Sequence, residues 1–149
     1  MAITLGLLEL STLIESNAMN DQSFILGMKV RDYECDMQGI VNNAIYQHYL
    51  EHARHEFLES RGLNFADLTA RGIIVVVIRA ELDYKSSLRT GEDFTVSVSA
   101  RQISRLKLAF DQEIRRKQDG ELAVKAVITA TSLNERNRPY FPDELTSLL

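Results

Sequence analysis

The sequence predicts an α+β domain in which a five-stranded antiparallel sheet wraps around one long central helix. Three observations predict it. Tyr46, Leu50, Ala53 and Phe57 recur at i, i+4, i+7 and i+11, the apolar stripe of a single helix. From Ile73 onward the chain turns to β-branched residues and period two: Phe94, Val96, Val98 and Ala100 alternate with Thr95, Ser97, Ser99 and Arg101, which is a half-buried strand. The order of one strand, one long helix and then four strands segregates helix from sheet, the mark of α+β rather than βαβ organisation.

Taken in order, Phe24 to Arg31 supplies enough apolar residues for a first strand, interrupted by Gly27. Tyr33 to Asn42 reads as a loop, where Gly39 permits a sharp bend. A helix is expected over about 43–60, with Asn42 and Asn43 as N-cap candidates and Gly62 as its C-terminal cap. Asn64 to Arg71 is a short second helix or turn capped by Asn64. Ile73 to Ile78 is a continuous apolar run, as expected of a strand buried on both faces, and it continues through Ala80, Leu82 and Tyr84. Ser86 to Glu92 forms a turn, and Leu106, Leu108, Phe110 and Ile114 mark another strand. Gln118-Asp119-Gly120 signals a hairpin before the last strand, Leu122 to Leu133. Prolines 139 and 142 end the regular structure. The strands are expected to join largely by hairpins. One helix cannot cover five strands, so pairing sheet to sheet in a dimer is expected to bury the remainder.

Composition narrows the function. A chain of 149 residues, 45% hydrophobic and 26% charged, is sized for one domain with a self-sufficient core. A net charge of −4 with no long basic stripe gives no reason to expect nucleic-acid binding. No apolar run reaches membrane-spanning length, so no membrane insertion is expected. The single cysteine, Cys35, excludes an intramolecular disulfide and fits a reducing compartment. Residues 1–18 are apolar at first and lack the basic start of a secretory signal. Ser16-Asn17-Ala18 directly before Met19 reads as a vector-derived remnant or a disordered extension, which leaves a single domain over 19–149.

Chemistry concentrates at residues 36–57. Asp36 lies on a loop delivered onto the N-terminus of the long helix. Such an end offers unpaired N–H groups and a positive dipole to developing negative charge, so an acid facing it outlines an acyl-transfer centre. The alternative for Asp36 is a local Asx turn. His48, His52 and His55 sit at i, i+4 and i+7. The outer pair is about 10 Å apart by helical rise, too far to share one ion, so no metal is expected and the histidines read as a polar stripe. Arg54 and Glu56 read as a solvated or interfacial charge pair. Cys35 has no neighbouring histidine to activate a thiolate.

Asp36, Gly39 and Val41, with Tyr46 five residues after the valine, resemble the Asp-x-x-Gly-x-Val loop of hotdog-fold thioesterases of the 4-hydroxybenzoyl-CoA thioesterase type. The resemblance covers about residues 24–142. It is nearest in look to plant plastid acyl-lipid thioesterases, which act on acyl-carrier-protein (ACP) thioesters, through Val41-Asn42-Asn43-Ala44 and the run His52 to Ser60. Asn43 departs from the histidine that many bacterial acyl-CoA thioesterases of this type carry, so their short-chain CoA substrates are not implied.

The resemblance implies that Asp36 attacks the thioester carbonyl or activates water, and that the Asn43 backbone N–H stabilises the oxyanion. Gly39 would let the backbone approach the acyl group. Val41, Asn42, Tyr46, Ser86 and Arg105 complete the expected substrate contacts, Tyr46 weighing more toward the core. The clusters Arg101, Arg105, Lys107 and Arg115-Arg116-Lys117 either read phosphate or solubilise strand ends. The implied function is hydrolysis of fatty or β-ketoacyl thioesters of ACP or CoA. The alternatives are an aromatic acyl-CoA thioesterase of hydroxybenzoyl or dihydroxynaphthoyl type, or a non-catalytic acyl-binding module. The expected assembly is a homodimer or homotetramer without cofactor, in the cytoplasm or, in a plant, the plastid stroma. A hotdog dehydratase is disfavoured because no histidine lies in the loop.

Overall fold

The computed structural model describes residues 23–149, and the expected remnant at residues 1–18 lies outside them. The order is β1 (Phe24–Lys29), a 3-10 turn (Asp32–Glu34), α1 (Ile45–Ser60), α2 (Phe65–Ala70), β2 (Ile74–Tyr84), β3 (Asp93–Ser104), β4 (Lys107–Arg116), β5 (Leu122–Leu133) and a closing 3-10 turn (Asp143–Leu148). The strands form one sheet ordered β1-β3-β4-β5-β2, every pair antiparallel. Five antiparallel strands packed on α1 make the hotdog layout.

The helical stripe does what its spacing demands. Tyr46, Leu50, Ala53 and Phe57 are buried, joined by Tyr49 and Leu58. They pack on the inward residues of β3, where Phe94, Val96 and Val98 are fully buried. Phe57 lies between Phe24 of β1 and Phe110 of β4, with ring centroids 6.0 and 6.4 Å away. Burying each such ring contributes about 1.5–3 kcal/mol. α1 ends in a Schellman motif: Gly62 has φ +77°, its N–H donates to the Glu59 carbonyl at 3.0 Å, and the Leu63 N–H donates to Leu58 at 2.9 Å. Asn64 caps α2 by accepting from the Ala66 N–H at 2.7 Å.

Three expectations are corrected. β2 is an edge strand, bonded only to β5, and Val77 and Ile78 are 51% and 48% exposed. Its apolar run is therefore covered only in part within one chain, Ile73 and Val75 meeting the core while Val77 and Ile78 stay exposed. The β2–β3 link is not a hairpin: it carries the chain from the β2 edge across to β3, beside β1 at the other edge. The prolines do not end the structure either, because the turn Asp143–Leu148 buries Leu145 and Leu148.

Candidate active site

The loop before α1 is built as a small hairpin. Cys35 bridges Val41, the Asp36 N–H donates to the Ile40 carbonyl at 2.9 Å, and the Gly39 N–H donates to the Asp36 carbonyl at 3.0 Å. Gly39 has φ +76°, a left-handed conformation in which an L side chain is strained. Asp36 is exposed at this tip. Its Oδ1 accepts from the Gln38 N–H at 2.8 Å, an Asx turn, while Oδ2 has no hydrogen bond among the described residues. The Asx turn and a chemical role are compatible, since each uses a different oxygen.

The loop feeds directly into the helix start. Asn42 donates its N–H to the Glu34 carbonyl at 3.0 Å, and its Oδ1 accepts from the Ala44 N–H at 2.9 Å. The regular helix begins at Ile45, two residues later than expected, because Asn42 to Ala44 form a turn that leads into it. The Asn43 N–H has no hydrogen bond among the described residues, and the Asn43 carbonyl accepts from the Tyr84 hydroxyl at 3.1 Å. An uncommitted backbone donor thus sits at a helix N-terminus, next to a loop carrying a free carboxylate oxygen.

The other expected residues separate into two groups. Val41 and Tyr46 are buried. The Tyr46 hydroxyl accepts from the Leu88 N–H at 3.0 Å, which ties α1 to the β2–β3 connection, and burial raises its pKa. Ser86 lies just past Tyr84 at the same end of the sheet, its hydroxyl donating to the Leu122 carbonyl at 2.9 Å. Arg105 is not brought near Asp36 in this chain. It sits at the β3–β4 turn, on the order of 35 Å along β3 from the Asp93 end beside the loop.

Half of the residues in the basic clusters are held in ion pairs among the described residues. Arg101 pairs with Asp111 at 2.7 Å and Arg115 with Glu113 at 2.8 Å. Arg116 meets Glu92, Asp119 and Glu121 at 3.4, 3.0 and 2.9 Å. Arg54 does not pair with Glu56. It is 8% exposed, and its Nη1 donates to the Gln112 side chain at 3.0 Å, while Gln112 donates to the Leu50 carbonyl at 3.1 Å. Desolvation lowers its pKa. His48, His52 and His55 are exposed, His55 meeting the Phe65 ring at a tilt of 59° with centroids 4.6 Å apart. Among the described residues no three His, Cys, Asp or Glu side chains are grouped to hold a metal ion.

A groove of about 350 Å³ runs from Ala44 along α1 past Gln47, His48 and Glu51 to Arg54, floored by Val77, Ala80 and Ile128. It begins at Ala44, the residue after Asn43, and opens along the exposed side of β2. Sequence reasoning missed two buried polar pairs, Glu34–Tyr49 and Arg54–Gln112, the second of which reaches the groove through Arg54. The available signals were Tyr49, at i+3 from Tyr46, and Arg54, at i+4 from Leu50, both of which fall on the buried face.

Fold and site together define a hotdog protein with an acid beside a helix N-terminus. The chain belongs to the Thioesterase-like superfamily, whose pattern matches residues 30–149. It is 37% identical over 112 residues to the chloroplastic acyl-acyl carrier protein thioesterase ATL3 of Arabidopsis thaliana, aligning 75% of this chain with 59% of that protein. The chain thus spans about three fifths of the length of the plant relatives it matches. It is 30% identical over 102 residues to the long-chain acyl-CoA thioesterase FadM of Escherichia coli, covering 68% of this chain and 76% of that one. A solved structure of a hypothetical protein from Aquifex aeolicus superposes with TM-score 0.79 at 30% identity, covering 85% and 99% of the two chains. The DHNA-CoA thioesterase from Staphylococcus aureus superposes with TM-score 0.76 at 27% identity, covering 84% and 87%. No helix among the described residues is long and apolar enough to cross a membrane.

Proposed function

We propose that this chain hydrolyses acyl thioesters of ACP or CoA, with fatty or β-ketoacyl groups as substrates. The observation that carries the reading is the junction of loop and helix: a carboxylate oxygen of Asp36 and the N–H of Asn43, both without partners in the described structure, on segments held together at Glu34 and Asn42. In the reaction, water adds to the carbonyl carbon as Asp36 takes its proton, and the oxyanion is held by the Asn43 N–H. Collapse expels the thiolate, which takes up a proton, leaving a free acid and a thiol. Direct attack by Asp36 gives the same products through an acid anhydride that water then opens. Gly39, Val41 and Asn42 shape the approach, Tyr46 holds the helix, and Ser86 closes the sheet end nearby. Arg105 enters the reading only if another subunit presents it.

The named relatives support both carriers. An aromatic acyl-CoA substrate is the second reading, favoured by the likeness to the DHNA-CoA thioesterase and by polar Gln47, His48 and Glu51 along the groove. The bare β2 edge, with exposed Val77 and Ile78, suits self-association into a homodimer or homotetramer that roofs the groove. The single cysteine fits a reducing compartment, the cytoplasm or a plastid stroma.

The test is thiol release from C6 to C16 acyl-ACP, the matching acyl-CoAs, and benzoyl- and naphthoyl-CoA. Asp36→Asn keeps the size and the Asx turn but removes the base, so turnover is expected to fall by about 10² or more with folding retained. Near-normal turnover in the variant would sink the mechanism, and no turnover by wild type on any ester would point to an acyl-binding module.

A further inference from the structure

We infer that Glu34 and Tyr49 are positioning residues that hold the Asp36 loop and the first turn of α1 in one fixed relation, a role that rests on the reaction proposed above. Glu34 is 8% exposed and Tyr49 is 2% exposed. Glu34 Oε1 accepts from the Tyr49 hydroxyl at 2.9 Å and from the Arg31 N–H at 2.7 Å. The Glu34 carbonyl accepts from the Asn42 N–H at 3.0 Å. One residue therefore grips the start of the loop, the residue before Asn43 and the second turn of the helix. It lies two positions before Asp36.

Energetics separate this role from simple stabilisation. Glu34 forms no ion pair among the described residues; the Arg31 guanidinium acts on it only through space, and burying a carboxylate on those terms is costly even when it is hydrogen-bonded. Replacing Glu34 alone would strand the Tyr49 hydroxyl and the Arg31 N–H, but replacing Glu34 and Tyr49 together by apolar side chains of similar volume would cost the core little. What an apolar side chain cannot supply is a fixed distance and angle between two segments, which a reacting acid and an oxyanion donor require. Tyr49 is itself locked, its ring 4.6 Å from Phe94 and 6.1 Å from Tyr46 by centroid. The remaining loop ties, Val41 to Leu88, Ile40 to Arg89 and Thr90 to Cys35, lead to the β2–β3 connection and do not touch α1. Among the described residues the Glu34–Tyr49 bond is the one side-chain hydrogen bond between loop and helix body.

The experiment measures kcat, KM and urea midpoint on the best acyl thioester of the panel. It uses the full chain and its variants Tyr49→Phe, Glu34→Gln and Glu34→Leu, with Asp36→Asn alongside. Tyr49→Phe removes one hydroxyl and leaves the ring packing. Its kcat is expected to fall about tenfold, with KM within about twofold and the urea midpoint nearly unchanged. Glu34→Gln keeps an oxygen for both donors and should retain most of kcat, while Glu34→Leu should match Tyr49→Phe. The double variant Glu34→Leu with Tyr49→Phe should be no slower than the slower single, because the two act as one unit. Tyr49→Phe with normal kcat would overturn the inference. So would Glu34→Gln as slow as Glu34→Leu, since that would make the charge itself the reactant. Should Glu34→Leu not fold, Tyr49→Phe and Glu34→Gln still decide. Wild-type turnover in Asp36→Asn would instead defeat the parent reading while leaving the Tyr49→Phe result legible.

Discussion

Gln112 shows how a single side chain governs the middle of this molecule. It is 1% exposed and faces α1 from β4, accepting from Arg54 and donating to the Leu50 carbonyl. Gln112→Leu fits the space but strands the Arg54 guanidinium, so a loss of about 2–3 kcal/mol in urea-unfolding stability is expected. Arg54→Met together with Gln112→Leu should recover much of that loss, since removing both polar partners is close to neutral. Tyr49 makes a second prediction, this one about pH. Burial, then its hydrogen bond to Glu34, raises its pKa above the ordinary 10.0. A raised pKa means that the fold favours the protonated phenol, so the contribution is complete below the unfolded value and is lost as pH rises past it. Urea midpoints should fall above about pH 10, and the fall should be shallower in Tyr49→Phe.

The elements were legible in proportion to how local their causes are. Both helix caps involve residues within five positions of one another, and Gly62 and Asn64 stand where the sequence places them. Gly62→Ala would force an alanine to φ +77° at a cost of about 1 kcal/mol, and Asn64→Ala should cost about as much. Thermal unfolding of each variant checks both. The helix stripe and the alternation in β3 were legible because period alone fixes which face is buried. What stayed hidden was non-local. Glu34 and Tyr49 are 15 residues apart and Arg54 and Gln112 are 58 apart, so no window of sequence contains both partners of the second pair. Asp36, Gly39 and Asn42 could be named together as candidates because the whole loop is one short segment. The apolar run 73–78 misled for a different reason: an edge strand that leaves part of its apolar run exposed reads like a strand buried on both faces.

At the scale of the whole molecule, the β2 edge carries the testable claim. An exposed apolar strand with unpaired backbone groups invites another chain, and Ile78 sits where the β2–β5 register shifts, between Val77 and Arg79. Under the self-association proposed above, Ile78→Asp should lower the sedimentation coefficient to that of a single chain, with turnover falling alongside. An unchanged sedimentation coefficient would remove β2 from that proposal. The strand order bears on synthesis as well. β2 leaves the ribosome before any strand it pairs with, because its one partner, β5, is the last strand made. Until residue 133 has emerged, the apolar run 73–78 has nowhere native to go. A nascent chain of this topology holds this apolar segment in the open while residues 79–133 are made, which makes holding chaperones, rather than intrinsic folding speed, the expected determinant of yield.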